Sequence, residues 1–255
     1  MKIVIKDNYS EMSAYAASLI ADLIRSKPDC TLGLATGGTP IGTYQKLIEM
    51  HREGLDFSRV KTFNLDEYVG IGRDLSKPYD ADQSYARFMY EEFFRHVNIK
   101  DENIHIPDGL AKNPEEFCLA YEKEIKKAGG IDLQLLGIGG DGHIGFNEPG
   151  SPLDSRTRVE KLTQQTLDDN YEAFYKAAGI PREQMPDRAI TMGIGTILEA
   201  RSLIMLANGS RKSAIVAQAL EGPVTTDVTA SALQLFSGQA TIVLDLKAAA
   251  GLKNK

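Results

Sequence analysis

The stretch GIGGDGHIGFNEPG, residues 137–150, threads Asp141, His143 and Glu148 through a run of glycines. Three chemistries use these residue types. GIGGDG formally matches the dinucleotide loop G-x-G-x-x-G, but that loop needs a helix to begin there and an acidic residue at the end of the next strand. HIGFNEPGSP follows instead, and its Phe-Asn-Glu-Pro-Gly run breaks a helix. A metal centre could use Asp, His and Glu as ligands. The chain has four histidines and no H-x-x-x-H pair, and His51, His96 and His105 fall in helical or loop contexts without ligand partners nearby, so no metal is expected. The remaining reading is proton transfer by a neutral imidazole near its working pKa, with Asp141 and Glu148 holding its tautomer. A well-placed acid or base of this kind contributes roughly 10²- to 10⁴-fold in rate.

Other segments carry complementary chemistry. FNLDEY ends on adjacent carboxylates, Asp66 and Glu67. Consecutive side chains diverge, so one of the two is expected to face a site. A carboxylate there could remove a proton from carbon if its surroundings brought its pKa toward neutrality; the alternative is Asp66 as a helix or turn cap. In ATGGTPIGTY, Thr36, Gly37, Gly38 and Thr39 stand between an apolar strand and a helix beginning near Pro40. Glycines let the backbone approach an anion, and free N–H groups at a helix start favour a phosphate. A plain tight turn is the alternative, and no Lys-Ser/Thr pair completes a Walker motif. NGSRKSA (208–214) repeats the design, with Lys212 in the first helical turn. One such lysine would be read as solvated. Two anion-friendly strand ends together favour a phosphorylated small-molecule substrate.

These groups need strand ends to carry them, and short aliphatic runs alternating with longer amphipathic segments supply such ends. KIVI, TLGLAT, VKTFNL, IDLQLLGIG, TRVEKLT, AITMGI, SLIMLANG and ATIVLDL read as strands. The helices are SEMSAYAASLIADLIRS with Ser10 as its cap, IGTYQKLIEMHRE closed by Gly54, SYARFMYEEFFRHV, NPEEFCLAYEKEIKKAGG and SRKSAIVAQALEG. In the fourth of these, Asn113 is the expected N-cap, Pro114 takes the first helical position and Gly129 lies past the end. The expected architecture is α/β: a single doubly wound, mostly parallel, Rossmann-like sheet flanked by helices, with residues 1–255 as one domain. Ligands in such folds bind outside the carboxyl ends of the strands, where TGGTP, DEY and the 137–150 stretch all fall. The polar segment DEYVGIGRDLSKPYDADQ is long enough to be functional rather than a mere connection.

Composition narrows the partners. A net charge of -6 without a basic block lacks the footprint of a nucleic-acid binder. No apolar stretch is long enough to span a bilayer, so no membrane partner is expected. The apolar run in MKIVIKDNYSEM is too short for a signal-peptide core. Cys30 and Cys118, far apart and without metal-type spacing, read as reduced thiols of a cytoplasmic protein.

Taken in order, TGGTP, FNLDEY, GGDGHIGFNEPG, SRTR and NGSRKS make the chain resemble the glucosamine-6-phosphate deaminase family over residues 1–246. The resemblance implies conversion of glucosamine 6-phosphate and water to fructose 6-phosphate and ammonia with no cofactor. It also implies that His143, assisted by Asp141 and Glu148, opens the pyranose ring, and that Asp66 moves a proton between carbon 2 and carbon 1. Gly37, Gly38, Thr39 and Lys212 match positions that hold the phosphate. The partner is then a small-molecule sugar phosphate, and because the family includes monomers and hexamers, a homo-oligomer is compatible.

There are departures. The family commonly has a lid arginine that reaches the phosphate; the expected lid, residues 164–188, carries none at the matching place in DDNYEAFYKAAG, which leaves Arg182 or Arg188 as substitutes. Glu160 puts a negative charge beside Arg158 of the basic cluster that allosteric members use, so weak or no activation by N-acetylglucosamine 6-phosphate is expected. The rivals are a galactosamine-6-phosphate deaminase and a 6-phosphogluconolactonase. The latter shares the fold and a G-x-D-G-H segment but typically has Asp-Glu-Arg where this chain has Asp66-Glu67-Tyr68.

Overall fold

The computed structural model describes residues 1–72, 83–176 and 179–254. Most of the polar segment expected to be functional after the third strand, and residues 177 and 178 of the expected lid, lie outside the described residues. In chain order the strands are β1 (Lys2–Lys6), β2 (Thr31–Leu34), β3 (Lys61–Asn64), β4 (Asp66–Tyr68), β5 (Ile104–His105), β6 (Leu133–Gly137), β7 (Arg158–Lys161), β8 (Arg188–Thr191), β9 (Ser202–Ala207) and β10 (Gln239–Asp245). The helices are α1 (Tyr9–Ser26), α2 (Gly38–Arg52), α3 (Tyr85–Glu92), α4 (Pro114–Lys127), α5 (Gln164–Asn170), α6 (Ile194–Leu198) and α7 (Ser213–Glu221).

Seven strands form an all-parallel sheet in the order β1-β10-β9-β6-β2-β3-β5. Strand order reverses between β2 and β6, which makes that gap the switch point where ligands bind in such folds. Both faces are covered, as a parallel sheet requires. On one face, Met12, Ala16, Ile20 and Ile24 of α1 recur at helical spacing and pack with Tyr44 and Leu47 of α2 against Leu32, Leu34, Leu133 and Leu135. On the other, Tyr121 and Ile125 of α4 and Val216 and Ala219 of α7 cover Leu136, Met205, Ile242 and Leu244. No helix among the described residues is long and apolar enough to cross a membrane.

Helix punctuation follows local chemistry, with two shifts. Asn113 caps α4 by accepting from Glu116 N at 3.2 Å, and Gly129 follows with φ +91°. The α1 cap is Asn8 rather than Ser10; its side chain accepts from Glu11 N at 3.0 Å. α2 starts at Gly38, ahead of Pro40.

The expectation of one continuous sheet needs correction. β4, β8 and β7 form a separate antiparallel sheet, with Asp66 opposite Thr191 and Thr191 opposite Arg158. The chain changes sheets at Leu65, whose N–H donates to Leu34 O at 3.1 Å while its carbonyl accepts from Met192 N at 2.7 Å. DEY, expected as a loop, is therefore a strand. Its partners lie more than a hundred residues away, beyond any local pattern.

Glu67 secures the next element. Its carboxylate is fully buried and accepts the N–H groups of Tyr68 (2.9 Å), Tyr85 (3.0 Å) and Ala86 (2.9 Å), tying β4 to the first turn of α3. Burial pushes its pKa up to about 8, against those three donors. Glu67→Ala would leave the donors without an acceptor, and a loss of about 2–4 kcal/mol in urea unfolding is expected, with Glu67→Gln losing less; a change below about 1 kcal/mol in the alanine variant would contradict this role.

Candidate active site

The loops after β2, β3, β6 and β9 meet at the switch point. After β2, Gly37 at φ +99° turns the chain and α2 begins at Gly38 with no side-chain cap, leaving its first N–H groups available to an anion. The Tyr9 hydroxyl braces this turn, lying 3.1 Å from the carbonyls of both Gly38 and Thr39 and accepting from Gly42 N at 2.8 Å. Thr39 Oγ1 donates to Asn208 Oδ1 at 3.0 Å, which joins the loop after β2 to the loop after β9.

The loop after β6 presents the histidine. Gly139 N donates to His143 O at 2.8 Å, closing the loop on itself. A Cβ at residue 139 would lie 2.4–2.5 Å from three atoms of the imidazole, so the ring rests directly on this glycine. His143 Nδ1 is 2.7 Å from Asp141 Oδ1, a charge contact short of ideal hydrogen-bond alignment, and Asp141 Oδ1 also accepts His143 N at 3.1 Å. Burial opposes charge on Asp141, but the contacts with His143 outweigh it and hold the carboxyl below its ordinary pKa. Glu148 is 3% exposed; its Oε2 accepts from Thr163 Oγ1 at 3.0 Å while Oε1 is buried with no partner among the described residues. Ligand atoms of Asp141, His143 and Glu148 all lie within 4.8 Å of one another, close enough to share a proton-bearing substrate oxygen or a cation.

Asp66 forms the facing wall. It is 5% exposed, and an ideal Cβ on Gly145 of the histidine loop would sit 3.4 Å from its Oδ2. Burial lifts its pKa to about 7, with His143 pulling the other way. Of the adjacent pair, Asp66 thus faces the histidine loop and Glu67 serves the scaffold. Tyr85, in the first turn of α3, belongs here: its hydroxyl lies 3.4 Å from that of Tyr68, its ring stacks on Phe146 at 5.8 Å, and it lies in the field of Asp66. No local signal marks it, because Glu67 delivers it from α3.

The segment after β7 touches these groups. Besides the Thr163 contact, Asn170 Nδ2 donates to Tyr68 OH at 2.9 Å, and Asp169 Oδ2 approaches Gly140. Lys212 lies in the field of Asp169 and Asp141; burial nevertheless lowers its pKa below the ordinary range. Of the substitute lid cations, Arg182 is ion-paired to Asp168 and lies over the Tyr171 ring at 5.6 Å, and Arg188 is exposed on β8. Neither joins Lys212 in these contacts. Arg158 is spent on Asn147 Oδ1 (2.8 Å), Ser151 Oγ (2.8 Å) and Glu160.

Two outcomes follow from this geometry. Gly139→Ala would displace the imidazole, and kcat is expected to fall at least about tenfold with the melting temperature little changed; full activity would show that the ring position is unimportant. Between its ordinary value of 3.8 and about 7, Asp66 keeps in the folded chain a proton that the unfolded chain releases, so its contribution to stability falls as pH rises through that interval. Asp66→Asn should therefore melt above the parent at pH 8, by a margin that shrinks toward pH 4.

Comparison with known proteins places these groups in a family. The family model described as Glucosamine-6-phosphate isomerases/6-phosphogluconolactonase matches residues 6–242. A glucosamine-6-phosphate deaminase of Thermoanaerobacter sp. (strain X514) is 48% identical over 250 residues, covering 98% of this chain and 94% of the relative. One from Clostridium botulinum (strain Langeland / NCTC 10281 / Type F) is 46% identical over 256 residues and covers both chains in full. A solved structure described as a monomeric glucosamine-6-phosphate deaminase superposes with a TM-score of 0.91 at 42% identity, covering 98% of this chain and 100% of that one. The 6-phosphogluconolactonase of Trypanosoma brucei shares the fold, with a TM-score of 0.77 at 22% identity over 98% of each chain. The chain belongs to the glucosamine-6-phosphate isomerase/6-phosphogluconolactonase family.

Proposed function

We propose that this protein converts glucosamine 6-phosphate and water to fructose 6-phosphate and ammonia, using Asp66, Asp141, His143 and Glu148. The carrying observation is the buried Asp66 carboxylate facing the Asp141-His143-Glu148 loop across Gly145. Relatives at 46–48% identity over nearly the whole chain bear the deaminase name, whereas the lactonase likeness extends to the fold alone.

The chemistry divides between the two walls. His143, oriented by Asp141, takes the proton of the anomeric hydroxyl and returns one to the ring oxygen, breaking the C1–O5 bond to give the open aldehyde. Glu148, with its spare buried oxygen, assists this exchange. Asp66 removes the proton from carbon 2 while the carbon-2 ammonium gives a proton to O1, leaving an enolamine, and Asp66 redelivers its proton to carbon 1. The product is the imine of fructose 6-phosphate. Water adds to its carbon 2 and ammonia leaves with the C–N electron pair, so no redox partner is required. A pKa near 7 leaves Asp66 basic enough to take a carbon-bound proton yet ionised above neutrality.

The uncapped start of α2 with Thr36, Gly37, Gly38 and Thr39, together with Lys212, holds the phosphate in this reading; the Thr39–Asn208 bond that joins the two loops supports it. Residues 164–188 act as a lid, a role supported by the contacts of Thr163 and Asn170 across the site. Buried free thiols at Cys30 and Cys118 fit a reducing, cytoplasmic setting.

Ammonia release from glucosamine 6-phosphate, with galactosamine 6-phosphate in parallel, tests the reaction. Asp66→Asn and His143→Gln are each expected to lower kcat by about 10² or more. No ammonia from either sugar would reject the proposal, and release from the galacto epimer alone would reassign the substrate. The kcat/KM profile should fall on the acid side with an apparent pKa near 7, as Asp66 takes up its proton. Because Glu160 already occupies Arg158, N-acetylglucosamine 6-phosphate should leave the saturation curve unchanged; conversion from sigmoidal to hyperbolic kinetics would contradict this.

A further inference from the structure

Gly209 sits in the turn between β9 and Lys212 with φ +86°, and the freedom of glycine at such a position means that its conformation has to be imposed from outside. The imposing group is Asp245. This residue ends β10, is 5% exposed, and places both carboxylate oxygens 3.0 Å from Gly209 N, while Oδ1 also accepts from Ala248 N at 2.7 Å. β10 lies parallel to β9 with Leu244 opposite Ala207, so the carboxylate comes from a rigid neighbouring strand. On the far side of the turn, Asn208 accepts from Thr39 in the loop after β2. The C-terminal turn Ala248–Gly251, which begins at the second N–H held by Asp245, packs closely under the start of α7: a Cβ on Gly251 would lie 2.7 Å from Ser213 O.

We propose that Asp245 is a positioning residue for phosphate recognition. It fixes the Asn208–Gly209 peptide, and through Asn208 holds the Lys212 turn in register with the Thr36–Thr39 loop, without touching the substrate itself. This role rests on the phosphate assignment made above for those two loops. An acceptor whose only duty was to satisfy a loop N–H would affect folding stability alone. A positioning group must affect phosphate affinity while leaving the proton-transfer groups undisturbed.

The test is steady-state kinetics on glucosamine 6-phosphate together with competitive inhibition by inorganic phosphate. Asp245→Ala should raise KM and the phosphate inhibition constant together, by about tenfold, with kcat held within about twofold and the acid limb of the pH profile unmoved. Asp245→Asn, which keeps one acceptor oxygen, should recover most of the loss. A lower melting temperature with unchanged KM and inhibition constant would overturn the proposal and leave Asp245 a purely structural acceptor. Lys212→Ala separates the two levels. If it leaves both constants unchanged, the phosphate assignment fails and the role of Asp245 falls with it; if it raises both while Asp245→Ala does not, only the role of Asp245 is rejected. Should Asp245→Ala fail to fold, Asn208→Ala removes the acceptor of Thr39 further along the same path, and unchanged constants there would likewise overturn the proposal.

Discussion

Leu65 gives its N–H to the parallel sheet and its carbonyl to the antiparallel one, and the placement of Asp66 depends on that change of partner. One residue earlier, the chain is still in register with β2; at Asp66 it is paired with Thr191. A carboxylate carried into such a junction loses its water without gaining a cation of its own, and that desolvation lifts its pKa toward neutrality. The cost falls on stability and the benefit on chemistry, the usual balance at a catalytic site.

The histidine loop answers this burial from the other side. Its glycines admit close approaches: the imidazole lies on Gly139, Gly142 packs with φ +92° against Val228, and Gly145 comes up to Asp66. Asp141 and Glu148 then play unequal parts. Asp141 is paired and held ionised by its contacts with His143, whereas Glu148 keeps a buried oxygen without a partner among the described residues. Paired and unpaired carboxylates on one loop suit the proton exchange proposed for His143.

Much of the fold was legible along the chain because helices and buried parallel strands announce themselves by local periodicity and caps. Asn113, Pro114 and Gly129 mark α4 where expected. The four residues proposed for proton transfer stand in two short motifs, FNLDEY and GGDGHIGFNEPG, that are dense in ionisable side chains. Less legible were the elements defined by distant partners. β4 is three residues long and is a strand only through its pairing with β8; Ser10 yielded the α1 cap to Asn8, which reaches Glu11 N. Tyr85 is one of several aromatics in SYARFMYEEFFRHV, and only the hold of Glu67 on the start of α3 brings it beside Asp66.

What the order of residues settled, then, was the kinds of chemistry on hand and the strand ends that bear them: a histidine among carboxylates, two glycine turns, a lysine. Tertiary structure decided which of Asp66 and Glu67 faces the site, since the antiparallel pairing of β4 turns Asp66 toward the histidine loop and leaves Glu67 to hold Tyr85 and Ala86. It also brought Asp245 under Gly209, across a separation that no local pattern spans. The physical reason is the same in both cases. Backbone propensity and side-chain periodicity act over a few residues, whereas burial and hydrogen-bond pairing are settled only when distant strands lie side by side.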